Sequence, residues 1–483
     1  MSRILAGPFN RVEGDLEITL DTDNKSVQSA RVNSPLYRGF ERILLGHDPM
    51  DALVYTPRIC GICSVSQSVA CARALADLMQ VEMPDNGLHS TNLVLANENM
   101  TDLLTHFYLF FMPDFARDIY ADEPWYAEIN TRFKATKGTA TQSMLPARSD
   151  FLHLMGIMAG KWPHTLSLQP GGTTKPIESH ERVRLLAIIG AFRRFLETEL
   201  FGDDLSVIAS LNSQSDLDQW RQQKDWNSSD FRRFLHLSEQ LELQKLGRAT
   251  DQFLSFGSYL QPEGKLFSEG VYLHGEHAEL DSKQITEDHA YTWMRQSEQP
   301  LHPSEGVTVP TLDNEEGYSW CKSPRLNKQV VEVGALARQV INKHPLALDM
   351  IQQNGGNVHS RVVARLLELA LVIPKMQEWV KAIDPAAPFC AHAEMPANAQ
   401  GIGLVEAARG SLGHWVEVKK GKIHNYQIVA PTTWNFSPRD QQAIPGALEQ
   451  ALEGAPIRTG EKTPVSVQHI VRSFDPCMAC TVH

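Results

Sequence analysis

The chain has 483 residues and a formal net charge of −12, with 42% hydrophobic and 21% charged residues. That balance is ordinary for a globular protein, and its acidic sign argues against a nucleic-acid partner, which needs a basic face. No apolar run reaches the roughly 18 residues of a membrane span, and basic pairs such as Arg193-Arg194 and Lys419-Lys420 read as short solvated faces.

In chain order, Asp15–Asp21 alternates through Leu16, Ile18 and Leu20, turns at Asp23-Asn24 and returns along Ser26–Val32, which predicts a hairpin. Short helices are expected over Glu41–Leu45 and Pro49–Val54. A longer helix is expected from Ser64 to about Met79, with Val65, Val69, Ala72 and Leu75 on one face. A second spans about Leu88 to Met112 and stops at Pro113. Further helices fit Ser149–Ala159, Glu178–Phe201, Lys328–Lys343 and Val358–Ile383, and Pro374 is expected to kink or split the last. The stretch from Ser213 to Glu316 carries the least pattern. Ile402–Ala430 reads as a second sheet region, in which Lys420-Gly421 joins Trp415–Val418 to Ile423–Val429. A last helix, Pro464–Ser473, leads into the C-terminal residues. The expected fold class is mainly α with peripheral β (α+β): a central bundle of long helices with β hairpins near both termini.

Two Cys-x-x-Cys pairs stand at opposite ends of the chain. Cys60 and Cys63 lie in Arg58-Ile59-Cys60-Gly61-Ile62-Cys63, and Cys477 and Cys480 lie in Asp475-Pro476-Cys477-Met478-Ala479-Cys480, just before His483. A zinc knuckle usually places roughly 15–20 residues between its pairs, and it substitutes for a missing core. A thioredoxin-like pair needs a βαβ setting that neither pair has. Disulfides would leave one of the seven cysteines unpaired, and Met1-Ser2-Arg3-Ile4 opens no apolar signal segment. A reducing compartment is therefore expected. The expectation is one shared site of four thiolates, which makes the chain return on itself as a single domain, 1–483. Thiolate chemistry alone leaves zinc, nickel, Cu(I) and an iron–sulfur cluster open. Cys71, Cys321 and Cys390 are too scattered for a further cluster, and Cys71 reads as a small core residue.

The surrounding residues carry a resemblance. Arg11-Val12-Glu13-Gly14 and Arg38-Gly39-Phe40-Glu41 precede the first Cys pair. Asp102 with His106-Phe107-Tyr108, then Tyr318-Ser319-Trp320 with Lys322 and Pro324-Arg325, follow it. Ala408-Arg409-Gly410, Leu412-Gly413-His414-Trp415 and Pro431-Thr432-Thr433-Trp434-Asn435 lead to the second pair and His483. In this order the motifs closely resemble the large subunit of NiFe hydrogenases, over essentially the whole length.

The resemblance implies that Cys60 and Cys477 bind nickel terminally, and that Cys63 and Cys480 bridge nickel to an iron carrying CO and cyanide. Maturation proteins install those ligands. It implies that Arg409 and Thr432 hydrogen-bond the cyanides, with Asp102 and Asp475 holding Arg409. H2 is then cleaved heterolytically, with Cys477 taking the proton, Arg409 as a competing acceptor, and Glu13 relaying it outward. Glu41 and His483 would contact a magnesium ion near the C-terminus. Electrons would leave through the iron–sulfur small subunit of a heterodimer. Taken alone, Glu13 is a surface carboxylate, Glu41 a helix-start carboxylate and His483 a terminal residue. His106, His164, His392 and His414 read as satisfied or partly buried, since four thiolates already supply the metal site.

The chain departs from the pattern at several places. Asp15 and Gln67 stand where the family has histidines, and Ala407-Ala408-Arg409-Gly410 lacks the family's proline. Ile62 and Phe110 are bulkier than the usual Val and Leu, which either narrows a gas path or repacks the core. Family precursors commonly carry an extension beyond the terminal histidine; this chain stops at His483. Gln67, Ile62, Phe110 and that ending resemble the H2-sensing, regulatory branch, whose further partners are a histidine kinase and a second heterodimer and whose expected location is cytoplasmic. An energy-conserving uptake hydrogenase is the alternative within the family. Outside it stand a structural zinc protein and the quinone-binding subunit of respiratory complex I, which lacks the four thiolates.

Overall fold

The alternating Leu16, Ile18 and Leu20 are fully buried, and the strand carrying two of them is the middle one of three. The computed structural model describes residues 2–23, 25–458, 461 and 463–483; Asn24 of the expected turn lies outside them. Strands β1 (Ser2–Ala6), β2 (Glu17–Thr22) and β3 (Val27–Asn33) form an antiparallel sheet in that order. β1 escaped the sequence because it is a largely exposed edge strand, with Ala6 its one fully buried residue.

The bundle comprises α1 (Ser64–Met79), α2 (Asp85–Thr105), α3 (Thr139–Ala159), α4 (Ser179–Phe195) and, later in the chain, α6 (Val358–Ala382). Helix α2 packs on α1, α3 and α6, and is buried almost all round, so its sequence shows little amphipathic period. It starts before the expected Leu88 and passes at His106–Phe111 into a wider π-helical turn, after which Pro113 opens a 3-10 turn. Helix α3 begins at Thr139, ten residues before the expected start, and contains Pro146. Helix α6 runs as one helix through Pro374, which neither splits nor ends it.

Two expectations need larger correction. The helix anticipated over 328–343 is only α5 (Ala335–Ile341). Its first half is extended: Asn327 and Lys328 turn the chain at positive φ, and Glu332 lies against Phe253 with its carboxylate paired to Arg361. The stretch 213–316 is not patternless in space. It holds helices Gln214–Gln222 and Asp230–Gln240, capped by the hydroxyls of Ser213 and Ser229. It also holds β4 (Phe253–Gln261) and β5 (Gly264–Leu273), paired with each other. Most of β4 is buried on both faces, so no alternation marks it.

The second sheet region consists of β6 (Ala399–Ala407), β7 (Gly410–Lys419) and β8 (Lys422–Val429). Lys420 and Gly421 both take positive φ, as a two-residue hairpin turn requires. Ala408 and Arg409 form the opposite tip, between β6 and β7. Helix α1 lies directly on β6. A Cβ on Gly403 would stand 1.9 Å from the carbonyl oxygen of Ala70, and one on Gly401 would stand 2.2 Å from that of Ala74. Only glycine lets helix backbone and strand backbone approach this closely. The chain closes with α7 (Pro431–Asn435), α8 (Val465–Ser473) and α9 (Met478–Thr481). A continuous apolar core runs from Ala6 to Cys480 and includes all four motif cysteines. Among the described residues no helix is long and apolar enough to cross a membrane.

Candidate metal centre

A 3-10 turn over Thr56–Ile59 delivers Cys60 in extended conformation, and Cys63 then occupies the N-cap of α1. At the other end Asp475 takes φ 57 and Pro476 follows it, so the chain bends to place Cys477 just before α9 and Cys480 within it. The N-terminal segment completes the wall. Met478 N–H donates to the Glu13 carbonyl at 2.7 Å. Gly14 has φ 80, and a Cβ on it would lie 3.0 Å from Met478 Cβ. Arg38 joins the two cysteine segments, donating to the carbonyls of both Ile59 and Ala479.

The four sulfurs lie within 4.8 Å of one another and all four residues are buried. Cys60 and Cys477 sulfurs are 3.4 Å apart, Cys63 and Cys480 2.7 Å, and Cys477 and Cys480 3.2 Å. None is in a disulfide. The hydrogen-bonded neighbour Cys477 pushes the Cys63 thiol well up, burial pushes Cys480 well up, and the bond to Cys477 holds Cys60 well below its ordinary value. Four thiols with little but one another to bond to in an interior form the donor set of a soft or borderline cation. The residues therefore fit the nickel–iron group that the sequence suggested.

Arg409, at the β6–β7 tip, is buried beside this set. Its Nε donates to the Asp475 carbonyl at 2.9 Å and its Nη2 to Asp475 Oδ1 at 3.0 Å and Asp102 Oδ1 at 3.3 Å, while Nη1 bonds Asp102 Oδ2. Four of the guanidinium's five N–H groups are thus used, and one on Nη1 remains. Burial opposes the charge on Arg409, but Asp102 and Asp475 outweigh it and raise its pKa. Burial lifts Asp102 to about 7 against the pull of Arg409. Thr432 accepts the Cys477 N–H at 3.1 Å.

Glu13 is half-buried; burial, then the charge of Cys60, raise its carboxyl above the usual range. The amide of Gln67 reaches Cys480 Sγ at 3.9 Å. Ile62 and Phe110 are both half-buried. Ile62 packs on the main core, whereas Phe107 and Phe111, not Phe110, make the ring contacts with Phe234.

Glu41 and His483 do come together, with His483 Nε2 3.3 Å from Glu41 Oε1. The same carboxylate also accepts from Lys322 Nζ at 3.0 Å, the Ile428 N–H at 2.8 Å and the Thr308 hydroxyl. Lys322 bonds Glu287 as well, at 2.8 Å. Burial would raise the Glu41 pKa, but Lys322 and His483 hold it far below the carboxylate range. A lysine ammonium therefore already balances the charge where the sequence suggested magnesium.

Burial keeps His106 and His414 neutral, with pKa values lowered to about 4 and about 3. His164 is half-buried against the Pro57 carbonyl, at 3.0 Å. His392 is exposed, contrary to expectation. Sequence reasoning missed Glu98. From α2 its carboxylate accepts the N–H groups of Val65 at 2.8 Å and Ser66 at 2.9 Å, capping the helix that begins at Cys63. A lone acidic residue between Ala96 and Met100 in a buried helix was the available signal.

A family described as nickel-dependent hydrogenase matches residues 38–128 and 141–483. The chain is 29% identical to the periplasmic NiFeSe hydrogenase large subunit of Desulfomicrobium baculatum, covering 100% of this chain and 95% of that one. It is 27% identical to the uptake hydrogenase large subunit of Rhizobium leguminosarum bv. viciae, covering 100% and 95%. Among solved structures, the Ni-Fe-Se hydrogenase of D. vulgaris Hildenborough in the reduced state superposes with TM-score 0.85 at 29% identity, covering 100% of both chains.

Proposed function

The chain belongs to the nickel-dependent hydrogenase family, as a large subunit and an oxidoreductase, and on that premise we propose that it cleaves H2 heterolytically at a centre held by Cys60, Cys63, Cys477 and Cys480. The observation that carries this is the convergence of four buried sulfurs from the two ends of the chain. Cys60 and Cys477 would hold nickel terminally, and Cys63 and Cys480 would share it with an iron carrying CO and cyanide. When bound, the centre would supply an acceptor for the electron pair of H2.

The chain's own residues then handle the proton. Cys477 is the acceptor we favour, because Arg409 is kept protonated by two carboxylates and has one donor left to offer. That remaining N–H and the Thr432 hydroxyl suit the nitrogen of a cyanide. The Glu13 backbone pairs with that of Cys477, and burial raises its carboxyl above the usual range, which suits a carboxylate that takes up and releases a proton. Glu41 would contribute to a magnesium site only by sharing its carboxylate with Lys322, and His483 only by giving up its contact with Glu41.

We read 1–483 as one unit that pairs with an iron–sulfur small subunit. Leu36, Ile43, Leu45, Met50 and Val54 are exposed apolar side chains in the segment leading into the first Cys pair, and they supply an apolar face for that partner. Gln67, Ile62 and Phe110 support a cytoplasmic H2 sensor that works with a histidine kinase and a second heterodimer. The names of the relatives, uptake and periplasmic among them, favour an uptake enzyme as the second reading. The test is H2–D2 exchange by the matured complex: Cys60→Ser and Cys480→Ser each abolish it, because hard oxygen replaces soft sulfur. Full exchange in either variant would refute the assignment.

A further inference from the structure

Behind the cysteine set runs a line of buried polar side chains that metal binding and proton release do not use. Gln67, in the first turn of α1, has its Nε2 3.9 Å from Cys480 Sγ and its Oε1 2.8 Å from His414 Nε2. His414, on β7, has its Nδ1 2.8 Å from the hydroxyl of Tyr426 on β8. The Cys71 thiol, on the second turn of α1, neighbours the Tyr426 hydroxyl. All five residues are between 0% and 2% exposed. Water therefore cannot stand in for a partner that points the wrong way.

We propose that Tyr426 and His414 are positioning residues that fix the amide of Gln67 so that its N–H donates to the Cys480 sulfur, and so set the donor strength of that ligand. This rests on Cys480 holding metal, as proposed above. A metal-bound thiolate has no proton and can only accept, so Gln67 must turn its NH2 group toward the sulfur and its oxygen toward His414. His414 must then carry its hydrogen on Nε2. The ring is neutral, because burial lowers its pKa to about 3, so Nδ1 is bare and the Tyr426 hydroxyl must donate to it. Cys71 keeps its proton, because burial raises its pKa to about 11, and it neighbours the hydroxyls of both Tyr426 and Thr56. One choice at the sulfur thus orients every group back to Tyr426, and each bond polarises the next.

The chain carries polarisation but not protons. An amide at position 67 does not titrate, so proton hopping from Cys480 toward Tyr426 stops there. That separates this line from the Glu13 side of the site, where an ionisable carboxyl lies near Cys60.

The test is infrared spectroscopy of the matured, metal-loaded complex, reading the CO stretch. A hydrogen bond withdraws charge from the thiolate, so losing it makes the iron richer in electrons and lowers the stretch. Tyr426→Phe and Gln67→Met should each lower it by a few wavenumbers, and the double variant should lower it no further than Gln67→Met alone. Site-specific 3-fluorotyrosine at 426 keeps the shape, strengthens the donor and should move the band up. A band unmoved by both Tyr426 changes, or a double variant equal to the sum of the singles, would overturn the proposal. A wild-type complex without diatomic bands would bring down the metal-centre reading as well, whereas bands that are present but unmoved bring down this chain alone.

Discussion

Arg409 and Asp475 grip one another twice: the guanidinium Nε binds the Asp475 main-chain carbonyl at 2.9 Å and Nη2 binds its carboxylate at 3.0 Å. Asp475 is also the left-handed residue that turns the chain into Cys477. The contact therefore ties the β6–β7 tip to the ligand-bearing C-terminal segment.

Removing Arg409 leaves Asp102 and Asp475 buried without their counter-charge. Breaking a buried pair in this way costs about 3–5 kcal/mol. Arg409→Ala should lose that much in denaturant unfolding and should fall at least tenfold in H2 oxidation. Arg409→Lys keeps the charge but not the planar fork, and should recover part of the stability and less of the activity. An Arg409→Ala variant as stable as wild type would mean that the two carboxylates relax or take up protons without cost.

Gly403 sets how close α1, and hence Cys63, lies to the sheet. Gly403→Ala puts a methyl group 1.9 Å from the Ala70 carbonyl oxygen, so α1 must shift. Overpacking of this kind costs about 1–3 kcal/mol, occasionally more, and nickel retained per chain should fall with it. Gly156→Ala, in α3 with no atom within 4 Å of the new Cβ, is the control, and should gain up to about 1 kcal/mol from helix propensity.

This dependence on glycine marks the limit of what the sequence could show. The four cysteines stood out by their paired spacing, whereas Arg409, Asp102, Asp475, Glu41 and His483 were singled out only through the resemblance of the motifs around them. The close approach of α1 to β6 was not, since Gly401 and Gly403 look like any strand glycines until the helix is laid on them. Helix α2 and strand β4 were hard to bound for a related reason: both are buried on nearly every side, so neither has the polar face that gives a period. The Glu332–Arg361 pair that holds 328–334 extended joins residues on separate elements, and no local pattern announces it.

Burial depresses the pKa of His106 and His359 to about 4 and of His414 to about 3. Each is below the unfolded value near 6.5. The stability they contribute is fully present above about pH 6.5 and is lost as pH falls through that value toward the folded pKa. Each proton taken up only on unfolding costs about 1.4 kcal/mol per pH unit. Burial raises Glu98, Asp102 and Glu449 to about 7, and these carboxyls pull the profile the opposite way. The test is therefore the difference between wild type and His359→Gln in urea unfolding: wild type should lose stability relative to the variant by about 1.4 kcal/mol per pH unit as pH falls from about 6.5 to 5. A difference that stays constant over that range would contradict the buried neutral state of His359.

Glu13→Gln removes the titratable carboxyl of a residue whose backbone pairs with that of Cys477. Loss of a proton relay should slow H2 oxidation about 100-fold or more while the nickel and iron content stays at the wild-type level. Wild-type turnover in this variant would remove Glu13 from the proton route.

Ile62→Val with Phe110→Leu should speed inactivation by O2 if these side chains narrow the gas path, as the sensor reading holds. Unchanged inactivation kinetics would assign both residues to packing and leave the uptake reading ahead.

Cys60, Cys63, Cys477 and Cys480 are proposed to hold nickel beside an iron bearing CO and cyanide, and infrared spectroscopy of the matured complex, with metal analysis of the same sample, decides it. CO and cyanide stretching bands are expected, with nickel and iron near one each per chain; a sample with zinc alone and no such bands would overturn the assignment.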